Sequence, residues 1–368
     1  MKCFKSMALA ALLVLGGLSA ARAVNAEENN GAVFVMTNAA DNNQILAYTR
    51  GEDGSLLPGG SYSTGGNGSG GTVDPLHSQG SLRLSKDHSL LFAVNAGSGS
   101  VSSFAVEGSA LMLVDTRTSG GSAPSAVAQA GDLLYVLNSG GNGNVSGFHV
   151  SEDGHLRPIK NSTRSLSDTT TRPTSLAFSP NRQFLVVTET ATNIIDVFRV
   201  LQDGSLSAIS VNASADAVPF AAAFAPNGAL IVGSASNFAS SYEVLPNGTL
   251  KPVSASLPTL GKATCWDVIT ANGRFVYTSN AGTASISGFA IARDGSLTPL
   301  DNTVVGANPA GSTNLDIAAS ANGRFLYTLN TGSGSIGIFA VDRDGALQSL
   351  TAQDGLPVAS GLNGIAAY

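Results

Sequence analysis

The chain is poor in charge. Only 12% of its 368 residues are Asp, Glu, Lys or Arg, and no basic cluster offers a grip on a nucleic-acid backbone. Cysteine is nearly absent too. Of the 2 cysteines, Cys3 sits in a leader-like N-terminus, so Cys265 is left alone and an intrachain disulfide is excluded. Runs of Glu, Lys and Leu at helical spacing are missing, which argues against a helical fold. After the first residues no stretch is long and apolar enough to span a bilayer.

Turn-forming and β-forming residues are abundant instead. The chain has 43 Gly and is 43% hydrophobic, with Ser, Thr, Asn and Val prominent. That composition predicts an all-β protein with many tight turns. At the N-terminus, Lys2 and Lys5 precede the apolar stretch Met7 to Leu18, and Ala21-Arg22-Ala23 and Val24-Asn25-Ala26 each offer a small-x-small cleavage site. Residues 1–26 thus read as a signal peptide cleaved near 23 or 26, which predicts an exported, periplasmic or extracellular, soluble protein. Loss of Lys2, Lys5 and Arg22 would take the net charge from −6 to −9.

Self-similarity organises the remainder. Asn272-Gly273-Arg274-Phe275-Val276-Tyr277 recurs fifty residues later as Asn322-Gly323-Arg324-Phe325-Leu326-Tyr327. A turn dipeptide stands between an aromatic-containing strand and a short strand beginning with Leu. It appears seven times: Asp53-Gly54, Glu107-Gly108, Asp153-Gly154, Asp203-Gly204, Asn247-Gly248, Asp294-Gly295 and Asp344-Gly345. Such dipeptides predict hairpins with type I′ turns, in which both central residues take positive φ. Four strands per repeat at this period predict a seven-bladed β-propeller, a single domain over 27–368 and a monomer. Blade one starts at Ala32 without an inner strand, and Leu362 to Tyr368 looks like an inner strand without a blade, so the C-terminal strand is expected to close the ring. Tyr48, Tyr135, Tyr277 and Tyr327 read as repeated core positions. The Gly/Ser-rich insertion from Gly65 to Gly80, carrying Asp74, Pro75 and His77, reads as a tolerated surface loop, with a lid as the other reading.

Blades of the form Ser179-Pro180-Asn181-x-x-Phe184-Leu185, then Asp196-Val197-Phe198-x-Val200, then Asp203-Gly204-Ser205-Leu206 resemble the lactonase propeller family. That family includes propeller-type 6-phosphogluconolactonases and carboxymuconate cyclase-like proteins. The resemblance implies opening of a lactone ring in a central pocket. It also implies a Gly-Pro-Arg-His run on an inner strand and an Asn-Glu pair on the next.

Here the matching run is Arg172-Pro173-Thr174-Ser175, and the pair is Thr188-Glu189. The usual His and Arg are therefore missing, which makes a phosphosugar lactone a poor substrate. Arg172, Thr174, Ser175 and Trp266 become the candidate substrate-binding residues. Asp267 and Asp316, read as the same inner-strand position in successive blades, join Glu189 as candidate catalytic carboxylates and as a possible Ca²⁺ site. The competing reading is that each Asp buttresses its own blade, that Trp266 packs between blades, and that Cys265 is a buried thiol. Two functions stay open. One is an exported hydrolase for a lactone or sugar-derived ligand, and the other is a binding or structural propeller with a protein or glycan partner.

Overall fold

The structure, a computed structural model, describes residues 31–368, so the proposed signal peptide lies outside the described residues. Seven antiparallel sheets follow one another as the blades of a propeller, each with four strand positions. In blades three and seven the outermost position is split into two short pieces, Leu156–Pro158 with Arg164–Ser165 and Leu347–Ser349 with Gln353–Asp354. Among the described residues there is no helix long and apolar enough to cross a membrane.

The ring closes inside blade one. Its second strand, Ala32–Met36, is wholly buried and pairs on one side with Gln44–Arg50. On the other side Val33, Phe34 and Val35 face Ala367, Ala366 and Ile365 of the C-terminal strand. Arg50 reinforces the closure by donating from Nε to the Tyr368 carbonyl at 3.1 Å. Two sheet edges are thereby removed, as expected from the sequence.

The Asp-Gly hairpins differ from expectation. Gly54, Gly154, Gly204, Gly248, Gly295 and Gly345 all take φ between 78° and 89°, but none of the preceding Asp or Asn residues has positive φ. Gly54 N donates to Gly51 O at 3.1 Å and Gly51 N to Ser55 O at 2.8 Å, and the other five repeat this pair. Each is a three-residue loop, a type I turn followed by a left-handed glycine that forms a bulge. The Asp earns its place differently. Asp53 Oδ1 accepts from both the amide and the hydroxyl of Ser55, and those two bonds hold its carboxyl below the usual carboxylate range. Glu107-Gly108 is the exception, a two-residue turn in which Glu107 pairs with Ala110.

These turns also fasten neighbouring blades. Tyr135 Oη donates to Gly204 O, Tyr277 Oη to Gly345 O and Tyr327 Oη to Gly54 O, in each case the turn glycine of the next blade. A buried phenol needs such a partner. Tyr48 is buried but lies one strand further out, so it is core without belonging to this series.

Candidate functional site

The propeller axis is not an open channel. The second half of the 65–80 insertion runs into it, and Leu76, Ser78, Gln79 and Gly80 are buried. Ser78 Oγ donates to Ser125 O on the inner strand of blade three, and Ser78 O accepts from Trp266 Nε1 on that of blade six. Gln79 N donates to Thr174 O of blade four at 2.9 Å. Its carboxamide then bonds both ways with Asp267 of blade six, Nε2 donating to Asp267 O at 2.7 Å and Oε1 accepting from Asp267 N at 3.1 Å. The segment is a hub between spokes, so both the surface-loop reading and the simple lid are corrected. An inner strand that ends at the axis leaves peptide groups without partners, and Gln79 supplies them.

The two axial aspartates serve this architecture. Asp316 has φ of 80°, rare for a residue with a side chain. The kink lets Oδ1 accept from its neighbour's amide, Ile317 N, at 2.9 Å, while Oδ2 accepts from Ile365 N of the closing strand at 3.1 Å. Asp267 lies beneath Gln79, 1% exposed, and its Oδ2 has no partner in hydrogen-bond geometry, although the Gly233 amide helps to hold its charge. Burial pushes both carboxyls up to about 7, and the nearby Arg83 charge pulls them back only in part.

The register also corrects the expectation that these two share a position. Asp267 faces Thr278, whereas the residue facing the equivalent Thr328 is Ile317. Asp316 thus corresponds to Trp266, one residue away, and a slip of one residue changes which way a strand side chain points.

Beside the axis, over blades six and seven, lies a cleft of about 690 Å³. Its wall includes Val73, Asp74, Cys265, Trp266, Thr283 and Leu315. Asp74 is the carboxyl there, with its side chain 15% exposed. Asn363 Nδ2 donates to its Oδ1 at 2.9 Å, and His77 Nδ1 stands 3.8 Å from Oδ2. Burial pushes Asp74 up to about 6, against these bonds and those of nearby amides. His77 goes the other way. Burial, with the Arg172 charge adding to it, lowers His77 to about 4, so it is neutral at pH 7 and the contact is no ion pair. Its ring meets Phe220 edge-on at 5.0 Å, and Phe220 in turn meets Trp266 at 5.2 Å. Cys265 is no ready nucleophile, because burial and the Asp74 charge push its thiol up to about 12.

Residues 69–357 match the family model described as lactonase, seven-bladed β-propeller. The chain belongs to this family. Among solved structures it is similar to a Bacteroides uniformis protein provisionally described as a 6-phosphogluconolactonase, with 19% identity and a TM-score of 0.72 over 93% of this chain and 100% of that one. It is also similar to the periplasmic gluconolactonase of Pseudomonas aeruginosa, with 18% identity and a TM-score of 0.68 over 91% of this chain and 99% of that one. At these identities the likeness carries the fold. No curated protein sequence matches the chain significantly.

Within this lactonase-family propeller, the residues singled out from sequence are dispersed. Of the candidate catalytic, substrate-binding and metal residues only Trp266 lines the cleft, and its indole N–H is committed to Ser78 O. Thr174 Oγ1 is buried between Thr188 Oγ1 and Phe220 O, fastening blade four to blade five. Ser175 is buried with its hydroxyl unpartnered, while Arg172 is exposed and its carbonyl accepts from Thr190.

Glu189 lies in the junction between blades three and four. It accepts from Ser167 N and Oγ and from Thr192 Oγ1, and Asp196 Oδ2 shares the Ser167 amide. Burial, then the hydrogen bond and charge of Glu189, raise Asp196 to about 9. Among the described residues no three His, Cys, Asp or Glu side chains are grouped to hold a metal ion. Glu189, Asp267 and Asp316 therefore do not form the carboxylate set expected for Ca²⁺. Sequence reasoning missed Asp74, Gln79 and Asp196. Asp74 was visible as the one carboxyl in a Gly/Ser-rich insertion whose other titratable residue is His77, which was the available signal.

Proposed function

We propose that this propeller is an exported hydrolase that opens a lactone ring in the cleft over blades six and seven. The observation that carries the reading is Asp74. A carboxyl at about 6, sparingly exposed in a concave site of ligand size, suits a general base working near neutral pH.

In the reaction, Asp74 takes a proton from water as the water oxygen bonds to the lactone carbonyl carbon. The carbonyl oxygen becomes an oxyanion, for which the wall hydroxyl of Thr283 is the donor at hand. Collapse breaks the ring C–O bond, and the departing oxygen takes the proton back from Asp74. The product is the open hydroxy acid.

The test is lactone hydrolysis followed by acid release, with the spontaneous rate subtracted. Asp74→Asn should lose on the order of 10²- to 10⁴-fold in kcat. The wild-type rate should climb with pH through about 6, because the base works only after losing its own proton. Turnover unaffected by Asp74→Asn would remove the assignment. A second reading, a binding propeller without chemistry, draws on the filled axis, where Gln79 occupies the space a central ligand would take. It is favoured if no lactone in a broad panel is opened. Export is checked separately, by sequencing the N-terminus of protein recovered outside the cytoplasm and finding it near residue 24 or 27.

A further inference from the structure

The cleft wall is one-sided in charge. Among the residues that line it, Asp74 and Cys265 alone titrate near or above neutrality, and neither carries a positive charge in any form. No Lys or Arg is among them. Lys262 stands outside, exposed, its carbonyl accepting the Gly282 amide at the rim. The remaining wall is mainly apolar and small, with Val73, Ala263, Ala281, Ala284, Ala310 and Leu315.

The insertion creates this character. Val73 and Asp74 are its contribution to the wall, and its Ser78–Gly80 portion closes the axis. Arg83, whose charge acts on Asp267 and Asp316, lies beside Gly80 and is not part of the cleft lining.

We infer that the cleft selects an uncharged lactone carrying an apolar substituent and rejects a phosphorylated one, with the 73–80 segment as the specificity element. The inference rests on the lactone-hydrolase reading for its ring chemistry, but the recognition argument is independent of turnover. A phosphate dianion here would face a carboxylate and lose its water without gaining a cation from the wall, since Lys262 and Arg172 are exposed and outside the lining, a combination that costs more than either alone. An alkyl arm would instead cover the alanine and leucine surface, gaining for every methylene buried.

The experiment uses the whole protein and three ligands: δ-decalactone, glucono-δ-lactone and 6-phosphoglucono-δ-lactone. Two readouts are taken, kcat/KM and the fluorescence of Trp266, the only tryptophan of the chain and part of the cleft wall. The expected result is a kcat/KM for δ-decalactone at least ~100-fold above that for the phosphorylated lactone, following from burial of several methylenes. Saturable quenching of Trp266 should follow the same order. Equal or better use of the phosphorylated lactone overturns the inference while leaving the hydrolase reading intact. Saturable quenching by δ-decalactone without turnover of any lactone does the reverse. No quenching by any ligand overturns the inference outright. Leu315→Lys supplies a control within the wall, and it should narrow the preference by ~10-fold or more by adding a cation to the lining that now carries only Asp74.

Discussion

In blade six the second strand ends at Asn280, whose amide donates to Ser287 Oγ on the third strand at 2.8 Å. Ser287 Oγ donates onward to Thr259 O, and Thr264 Oγ1 donates to Asn280 Oδ1. Blade two repeats the knot with Asn95 and Ser102. In blade four the same two register positions hold Glu189 and Asp196, for Val187 faces Asp196 as Thr278 faces Ser287. A neutral pair has been exchanged for two acids in an equally buried socket. The difference teaches that the socket demands a donor between the two side chains, not a particular residue type. Blade six meets that demand with an amide hydrogen. Blade four has only carboxyls, and the raised Asp196 marks where a proton is retained to do the same work.

The comparison breaks most visibly if an acid is put alone into the neutral knot. Asn280→Asp removes two donated bonds, and at pH 8 it should cost about 3 kcal/mol, with the midpoint of thermal unfolding lower by ~6 °C or more. Much of the loss should return at pH 5, where the new carboxyl can keep its proton and donate. A pH-independent loss would mean that the socket rejects the side chain for its shape.

A smaller effect concerns the wild type. Asp196 is raised in the folded state, so the folded protein binds more protons than the unfolded chain between the two values. Stability from this group is complete below about pH 4 and is lost as pH rises towards about 9. Asp267 and Asp316 act in the same sense, but only up to about 7. Between pH 7 and 9 the unfolding midpoint of the wild type should therefore slope downward, while that of Asp196→Asn should run nearly flat. Parallel slopes for the two would refute the retained proton. The smallest effect is expected from transplanting the neutral pair. Glu189→Asn with Asp196→Ser should lie within about 1 kcal/mol of wild type at pH 6 and gain on it at pH 9. A large loss at both pH values would show that Ser167 and Thr192 have no use for anything but a carboxylate.

The blades were legible because their signals are local. Asp203-Gly204 sits between two β-runs within a dozen residues, and Asn272-Gly273-Arg274-Phe275 is copied intact at Asn322. Even the ring closure could be inferred, from an unmatched strand at each end. The site was less legible because its partners are distant. Gln79 meets Asp267 across 188 residues, and Asn363 meets Asp74 across 289. No periodicity connects such pairs. Asp267 and Asp316 show a subtler failure. Their neighbourhoods look alike, yet the repeat is fifty residues long, as Asn272 and Asn322 show, and these two fall one residue short of it, while both inner strands carry the same bulge. Glu189 was found by resemblance, but its partner Asp196 looked like part of an ordinary aromatic strand.

Closure within a blade also sets an order of events during synthesis. Ala32–Met36, five apolar residues buried on both faces once folded, emerges among the first strands and must wait for Ile365–Ala367 among the last. For nearly the whole of translation it is an unpaired, sticky edge. Such an edge invites pairing with another chain. The nascent protein is thus open to aggregation just before completion, when blades two to seven can already have formed and blade one lacks only its inner strand. Docking of Ile365–Ala367 is therefore the step that takes this edge out of reach of other chains.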